Sequence, residues 1–135
     1  MTLSPQDKKN LSTMRMEKAY KYLQDATANY EGKRYETSVN RSYYAVLNAV
    51  RSILILEGIN PESHKGVITM LSLRFVKPGI IPKDTLRKFE LLLSRRTDAD
   101  YGDLETIDKN DAEDSVRTAE KIVKLIDKAR KKMNV

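Results

Sequence analysis

Cysteine and tryptophan are absent from the 135 residues, histidine occurs once, and only 5 glycines and 4 prolines are present. Without cysteine there is no disulfide framework, no cysteine-based zinc site, no thiol nucleophile and no thiol redox switch; a reducing compartment fits this composition. The single histidine, His64, cannot supply the paired imidazoles that zinc sites commonly use. Long hydrophobic runs are also missing. The longest aliphatic run, Ile53 to Leu56, falls far short of the ~20 residues of a membrane-spanning helix. The opening residues Met1 to Lys9 lack the apolar stretch of a secretory signal, so a cytoplasmic protein without membrane association is expected. No Gly-rich phosphate loop, Gly-x-Ser-x-Gly, His-Glu-x-x-His or helix-turn-helix recognition helix occurs, which leaves the commonest enzyme classes and DNA readers without support. No metal or cofactor is implied.

What is present suits one compact domain over residues 1–135: 40% apolar residues and a length at which a core holds without staples. The formal net charge is +6, but it is unevenly spread. Between Asp98 and Asp114 stand eight acids and one base, Lys109, a net of −7 that leaves +13 for the rest. A basic body attracts nucleic acid or another polyanion; equally, lysines on helices serve as solvated surface.

The few glycines and prolines sit where segments should end, and the apolar residues between them recur at three and four, which predicts an all-α fold. A first helix begins near Ser4, with Pro5 at its first position and Asp7 three residues after the cap, and turns Met16, Ala19, Tyr20, Leu23, Ala26 and Tyr30 inward until Gly32 stops it. The second, from about Tyr35 to Glu57, has the strongest stripe: Val39, Tyr43, Val46, Leu47, Val50, Ile53 and Leu54. It should be central, and Gly58 should end it. A shorter third helix runs from about Ser63 to Phe75 before Lys77-Pro78-Gly79-Ile80-Ile81-Pro82 breaks it. The fourth, from about Pro82 to Arg96 or a few residues beyond, has Leu86, Phe89 and Leu93 as its stripe, with Leu92 beside it. The last starts at Asn110 with Glu113 completing a capping box, buries Ala112, Val116, Ala119, Val123 and Ile126, and ends in Lys128, Arg130, Lys131 and Lys132, which favour the C-terminal dipole. Long helices with short connections imply an up-and-down bundle of four to five helices.

Three groups could carry chemistry. On the second helix Arg41, Tyr44 and Asn48 make a polar stripe beside the apolar face. On the fourth, Arg96 and Tyr101 suit phosphate: guanidinium offers several donors, and a phenol donates to phosphate or accepts a transferred group. An ordinary Arg96–Asp100 pair at i,i+4 explains the same residues without ligand. His64 at a helix start reads as a structural or capping residue, or as a general base given a partner.

The run Asn40-Arg41-Ser42-Tyr43-Tyr44-Ala45 after Gly32-Lys33-Arg34-Tyr35, then Ser63-His64-Lys65-Gly66-Val67, then Arg96 with Asp100-Tyr101-Gly102, resembles the HEPN domain (higher eukaryotes and prokaryotes nucleotide-binding). The likeness is to its small stand-alone prokaryotic branch and covers about residues 10–132. It implies a bundle that dimerises around a polar cleft, metal-independent ribonuclease or toxin activity in many members, and pairing with a minimal nucleotidyltransferase that acts as antitoxin. The family motif is an Arg followed, four to six residues on, by a His. Here Arg96 holds the Arg position, and the fifth residue after it is Tyr101. Asn48 stands where relatives often place a His. A phenol with a pKa near 10 is a poor base at neutral pH.

Three functions therefore stand open. The first is a nucleotide- or RNA-phosphate-binding partner of a nucleotidyltransferase, using Arg41, Tyr44, Asn48 and Arg96, with Tyr101 as acceptor of a nucleotidyl group. The second is a metal-independent RNA endonuclease in which Arg96 stabilises charge and Tyr101, Asp100 or His64 handles protons. The third is a structural helical homodimer without catalysis.

Overall fold

The computed structural model describes residues 2–102 and 107–133, and among these it contains five α-helices and no strand: α1 (Pro5–Glu31), α2 (Tyr35–Leu56), α3 (His64–Leu71), α4 (Asp84–Tyr101) and α5 (Lys109–Lys131). This is the all-α fold that the spacing predicts. Ser4 caps α1 as the sequence predicts, its hydroxyl accepting from the Asp7 amide at 3.0 Å while Asp7 accepts from the Ser4 amide at 3.3 Å. The stop differs slightly. Gly32 keeps an ordinary φ of −80°, and the left-handed residue that turns the chain is Lys33, at φ 62°. Gly58 does take φ 75° at the end of α2, a conformation that glycine adopts without strain.

Contacts fix the directions of the helices. Tyr22 meets Tyr44 and Asp25 meets Arg41, so α1 and α2 are antiparallel. Tyr44 meets Arg96 and Asn40 meets Asp100, so α4 is antiparallel to α2. Tyr20 meets Asp127 and Tyr30 meets Glu113, so α5 is antiparallel to α1, and Arg95 reaches Asp114 where α4 passes the start of α5. The central helix is α2, as its stripe predicts: it packs against α1, α3, α4 and α5, and Val39, Val46, Val50, Ile53 and Leu54 are fully buried. Ala19 and Ala26 on α1 and Ala45 and Ala49 on α2 are likewise inaccessible. Such small residues let helix axes approach toward the short end of the usual 8–10 Å range.

Three expectations need correction. The third helix changes character at Ser72: residues Ser72–Val76 form a π turn, with the Lys77 amide donating five residues back to Ser72 at 2.9 Å, and Phe75 is buried within it. On α4 the residues pointing inward are Phe89 and Leu92 with Thr85, while Leu86 and Leu93 are half-buried, so the stripe is rotated toward Leu92. The cap of α5 is Asp108, paired reciprocally with Asp111, rather than Asn110 with Glu113.

At the far end of α5, Arg130 is not a solvated partner of the helix dipole. Arg130 and Asp127 are 7% and 6% exposed and face each other at 3.3 Å; Arg130 also donates to Ser12 on α1, and Asp127 accepts from the Tyr20 hydroxyl at 2.8 Å. This buried network ties α5 to α1. Burial first, then the Asp127 bond, pushes the Tyr20 phenol up to about 12. Charge runs along α5, from Asp108, Asp111, Glu113 and Asp114 at its start to Lys124, Lys128, Lys131 and Lys132 at its close.

Candidate functional site

The polar residues singled out in the sequence meet where the first half of α2, the second half of α4 and the start of α3 come together. Arg96 is the hub. Its Nη2 donates to the Tyr44 hydroxyl at 2.9 Å, and its guanidinium carbon stands 5.4 Å from the Tyr44 ring, 5.7 Å from Tyr43 and 5.9 Å from Tyr101. Three ring faces around one cation hold it by cation–π attraction and restrict its rotamers.

Asp100 sits 3.0 Å from Arg96 Nε, one helical turn away. The contact is ionic rather than a well-aligned hydrogen bond, and among the described residues the buried Nε has no hydrogen-bond acceptor in line. Asp100 is also shared, since the Asn40 amide donates to both its oxygens at 3.1 and 3.2 Å. Asn40 in turn accepts from Arg41, whose Nε is paired with Asp25 at 2.6 Å. Arg41 therefore enters the site with its charge already balanced by α1. Asn48 lies one turn beyond Tyr44 and spends its amide on the Tyr44 backbone carbonyl at 2.8 Å. Tyr101 is the most open member, 71% exposed, and the residues after Gly102 up to 106 lie outside the described part.

His64 does not cap α3. That role falls to Ser63, whose hydroxyl accepts from the Gly66 amide at 3.0 Å. His64 instead faces Tyr43 and Glu90: its Nδ1 is 2.9 Å from the Tyr43 hydroxyl, and its Nε2 is 2.7 Å from Glu90 Oε1. An ionised carboxylate only accepts, so in the neutral imidazole Nε2 carries the proton and Nδ1 accepts from Tyr43. Phe89 closes the imidazole edge-on at 4.8 Å. Burial dominates the Tyr43 phenol and raises it to about 12, although the positive charges of Arg96 and Arg51 pull the other way. His64 is thus one side chain away from Arg96, with Tyr43 between them.

Sequence reasoning places Tyr43 in the core and assigns no role to Asn40, Glu90 or Asp25. Asn40 and Tyr43 lie inside the Asn40–Ala45 run, which is a local signal for both; Asp25 and Glu90 have none. Among the described residues no group of His, Asp and Glu converges as metal ligands do, and no helix is long and apolar enough to cross a membrane.

An up-and-down bundle with a half-buried arginine among tyrosines at the meeting of its middle helices defines a class of small all-α domains with one polar seam. The chain belongs to the HEPN domain family, whose model matches residues 13–130. It is 30% identical over 111 residues to a UPF0332 protein of Thermotoga maritima, covering 82% of this chain and 84% of the relative. It is 35% identical over 121 residues to a Methanocaldococcus jannaschii protein named as a candidate toxin, covering 87% of each. The crystal structure of TT1696 from Thermus thermophilus shares the fold, with a TM-score of 0.76 and 15% identity over 87% of this chain and 97% of that one.

Proposed function

We propose that the Arg96 seam binds the phosphate of a nucleotide or of RNA, and that the chain works as a cytoplasmic homodimer, partner to a minimal nucleotidyltransferase in a toxin–antitoxin type of module. The observation that carries this reading is the state of Arg96: a cation positioned by three tyrosines, whose one acidic neighbour among the described residues is off-line at Nε and shared with Asn40. A phosphate oxygen brought to this guanidinium gains charge-assisted bonds without a change of rotamer. Tyr44 flanks the approach through its bond to Arg96, with Asn48 one turn further along α2, and Arg41 adds a second cation once Asp25 yields it. The candidate toxin among the relatives supports the biological setting. Tyr101, exposed beside Arg96, suits a nucleotidyl acceptor: its oxygen attacks the α-phosphorus of a nucleoside triphosphate and pyrophosphate leaves.

Titration calorimetry with AMP tests the binding. Arg96→Ala should weaken it by roughly ten- to a hundred-fold, the loss of a charge-assisted bond of about 1.5–3 kcal/mol; unchanged affinity in a folded variant would refute the seam as the site. Co-expression with a neighbouring nucleotidyltransferase, followed by peptide mass spectrometry, should find the added nucleotidyl mass on Tyr101.

A second reading, metal-independent RNA cleavage, draws on the Tyr43–His64–Glu90 chain, which sets the only histidine behind the residue that faces Arg96. In this reaction the ribose 2′-oxygen bonds to the adjacent phosphorus, the 5′-oxygen leaves with a proton, and a 2′,3′-cyclic phosphate remains. Incubation of a labelled structured RNA in EDTA, with end analysis, separates the readings. Cyclic ends that vanish in both Arg96→Ala and His64→Ala favour cleavage; intact RNA favours binding alone.

A further inference from the structure

A second concentration of positive charge lies where α1 meets α2 and the turn after it, away from Arg96. Arg15 and Arg51 are brought together there: Arg15 Nη1 reaches the Arg51 backbone carbonyl at 3.4 Å, and Arg51 Nη2 reaches the Pro61 carbonyl at 3.3 Å. Both bonds are long, and among the described residues neither guanidinium has a carboxylate within ion-pair distance. Arg51 Nε is buried and has no hydrogen-bond partner among the described residues. Burial, and then the charge of Arg51, lowers the Arg15 pKa below the ordinary arginine value. Elsewhere the fold answers arginines withdrawn from solvent with acids, half-buried Arg95 with Asp114 and buried Arg130 with Asp127. Two like charges brought near each other on a half-buried surface cost free energy that an incoming anion recovers.

The path from this pair to Arg96 alternates rings and cations. Tyr22 on α1 lies 5.8 Å from Tyr44, the ring bonded to Arg96, and Lys18 stands 5.9 Å over Tyr22. On α2, Asn48 falls between Tyr44 and Arg51. Seven residues of helix separate Tyr44 from Arg51, a rise of about 10 Å, more than one phosphate bridges. Both rings are half-buried with part of their surface open. Interleaved cations and partly open aromatic rings form the platform on which unpaired bases stack while the backbone follows the charge.

We infer that Arg15 and Arg51 form a second phosphate seat, and that with Lys18 and Tyr22 they continue the Arg96 site into a track for single-stranded RNA. This rests on the phosphate-binding reading of Arg96 and gives it a ligand: a strand of several nucleotides rather than a mononucleotide.

Fluorescence anisotropy with labelled oligouridylates of two and eight nucleotides, beside AMP calorimetry, tests it. The octamer should bind the wild type at least about ten-fold more tightly than the dimer, and Arg15→Gln and Arg51→Gln should each remove most of that gain while leaving AMP affinity within about two-fold. The double variant should lower the slope of log K against log salt by about 1.4, the share of two phosphate contacts on a single strand. Arg15→Gln is the decisive variant, because it gives up only one long backbone bond and relieves a like-charge contact, so it should melt no lower than the wild type. Octamer affinity that is unchanged in both variants but lost in Arg96→Ala would overturn the track and leave the Arg96 reading intact. A wild type that binds neither AMP nor RNA would overturn both. Competition by polyglutamate as effective as by oligouridylate would overturn the assignment to RNA in favour of any polyanion.

Discussion

Tyr20 and Tyr43 are the residues whose chemistry the fold alters most. Each phenol is raised from the ordinary 10.0 to about 12, chiefly by burial. A raised acid in the folded state means that the stabilisation is complete below pH 10 and is lost as pH climbs from 10 through about 12. In an ultraviolet difference titration of the 7 tyrosines, these two should ionise last, and Tyr20→Phe and Tyr43→Phe should each remove part of the late phase. The Asp127–Arg130 pair makes a sharper demand. Asp127→Ala strands a buried guanidinium and should cost about 3–5 kcal/mol in urea unfolding, whereas replacing both residues with apolar ones of similar size should cost less, the remaining loss being the partners of the Tyr20 and Ser12 hydroxyls. Arg130 reads as surface in the sequence because a basic residue in a last turn usually is. Its burial depends on Ser12 and Tyr20, more than a hundred residues earlier in the chain.

The helices themselves are largely legible in the sequence. The stripe of α2 finds the large buried side chains Val39, Tyr43, Val46, Val50, Ile53 and Leu54, while Leu47 is half-buried, and the buried serines together with Ala45, Ala49 and Ile55 go unnamed because a central helix is buried over a wider arc than its large apolar residues mark. On α4 the arc is narrow, and the Leu91–Leu93 run leaves the phase ambiguous, so periodicity sets Leu86 and Leu93 one step too deep. The start of α5 offers two acid-rich boxes in succession, Asp108 with Asp111 and Asn110 with Glu113, which local rules do not rank. Glu113 is used elsewhere: it accepts from Tyr30 and pairs with Arg117. Asp108→Ala should therefore destabilise the protein by about 1 kcal/mol, the worth of an N-cap, while Asn110→Ala should stay within about 0.5 kcal/mol; thermal denaturation followed by circular dichroism measures both. At Gly58, with φ 75°, alanine should cost about 1 kcal/mol or more by the same measurement. Of the candidate site, the family motif names Arg96, Asp100 and Tyr101, yet no rule of spacing joins Tyr43 to His64 and Glu90, since that joint is made by three helices.

At the scale of the whole molecule the bundle holds its charges apart. The acidic start of α5 and the end of α4 lie at one extreme, and the lysines that close α5 lie at the other, about 35 Å away for a helix of this length. The Arg96 seam is on the acidic half, near Asp98 and Asp100, so salt should act on RNA association in two opposed ways, screening both the attraction of the cationic track and the repulsion of the acidic segment. Replacing Asp98 and Asp108 with Asn should raise the association rate at low salt and leave it nearly unchanged at high salt, as stopped-flow fluorescence would show. The same separation makes the protein a permanent electric dipole. A two-fold axis perpendicular to α5 sets two such dipoles in opposition and cancels them, whereas an axis along α5 doubles them. Transient electric birefringence of a homodimer would thus report the direction of its symmetry axis before any interface residue is known.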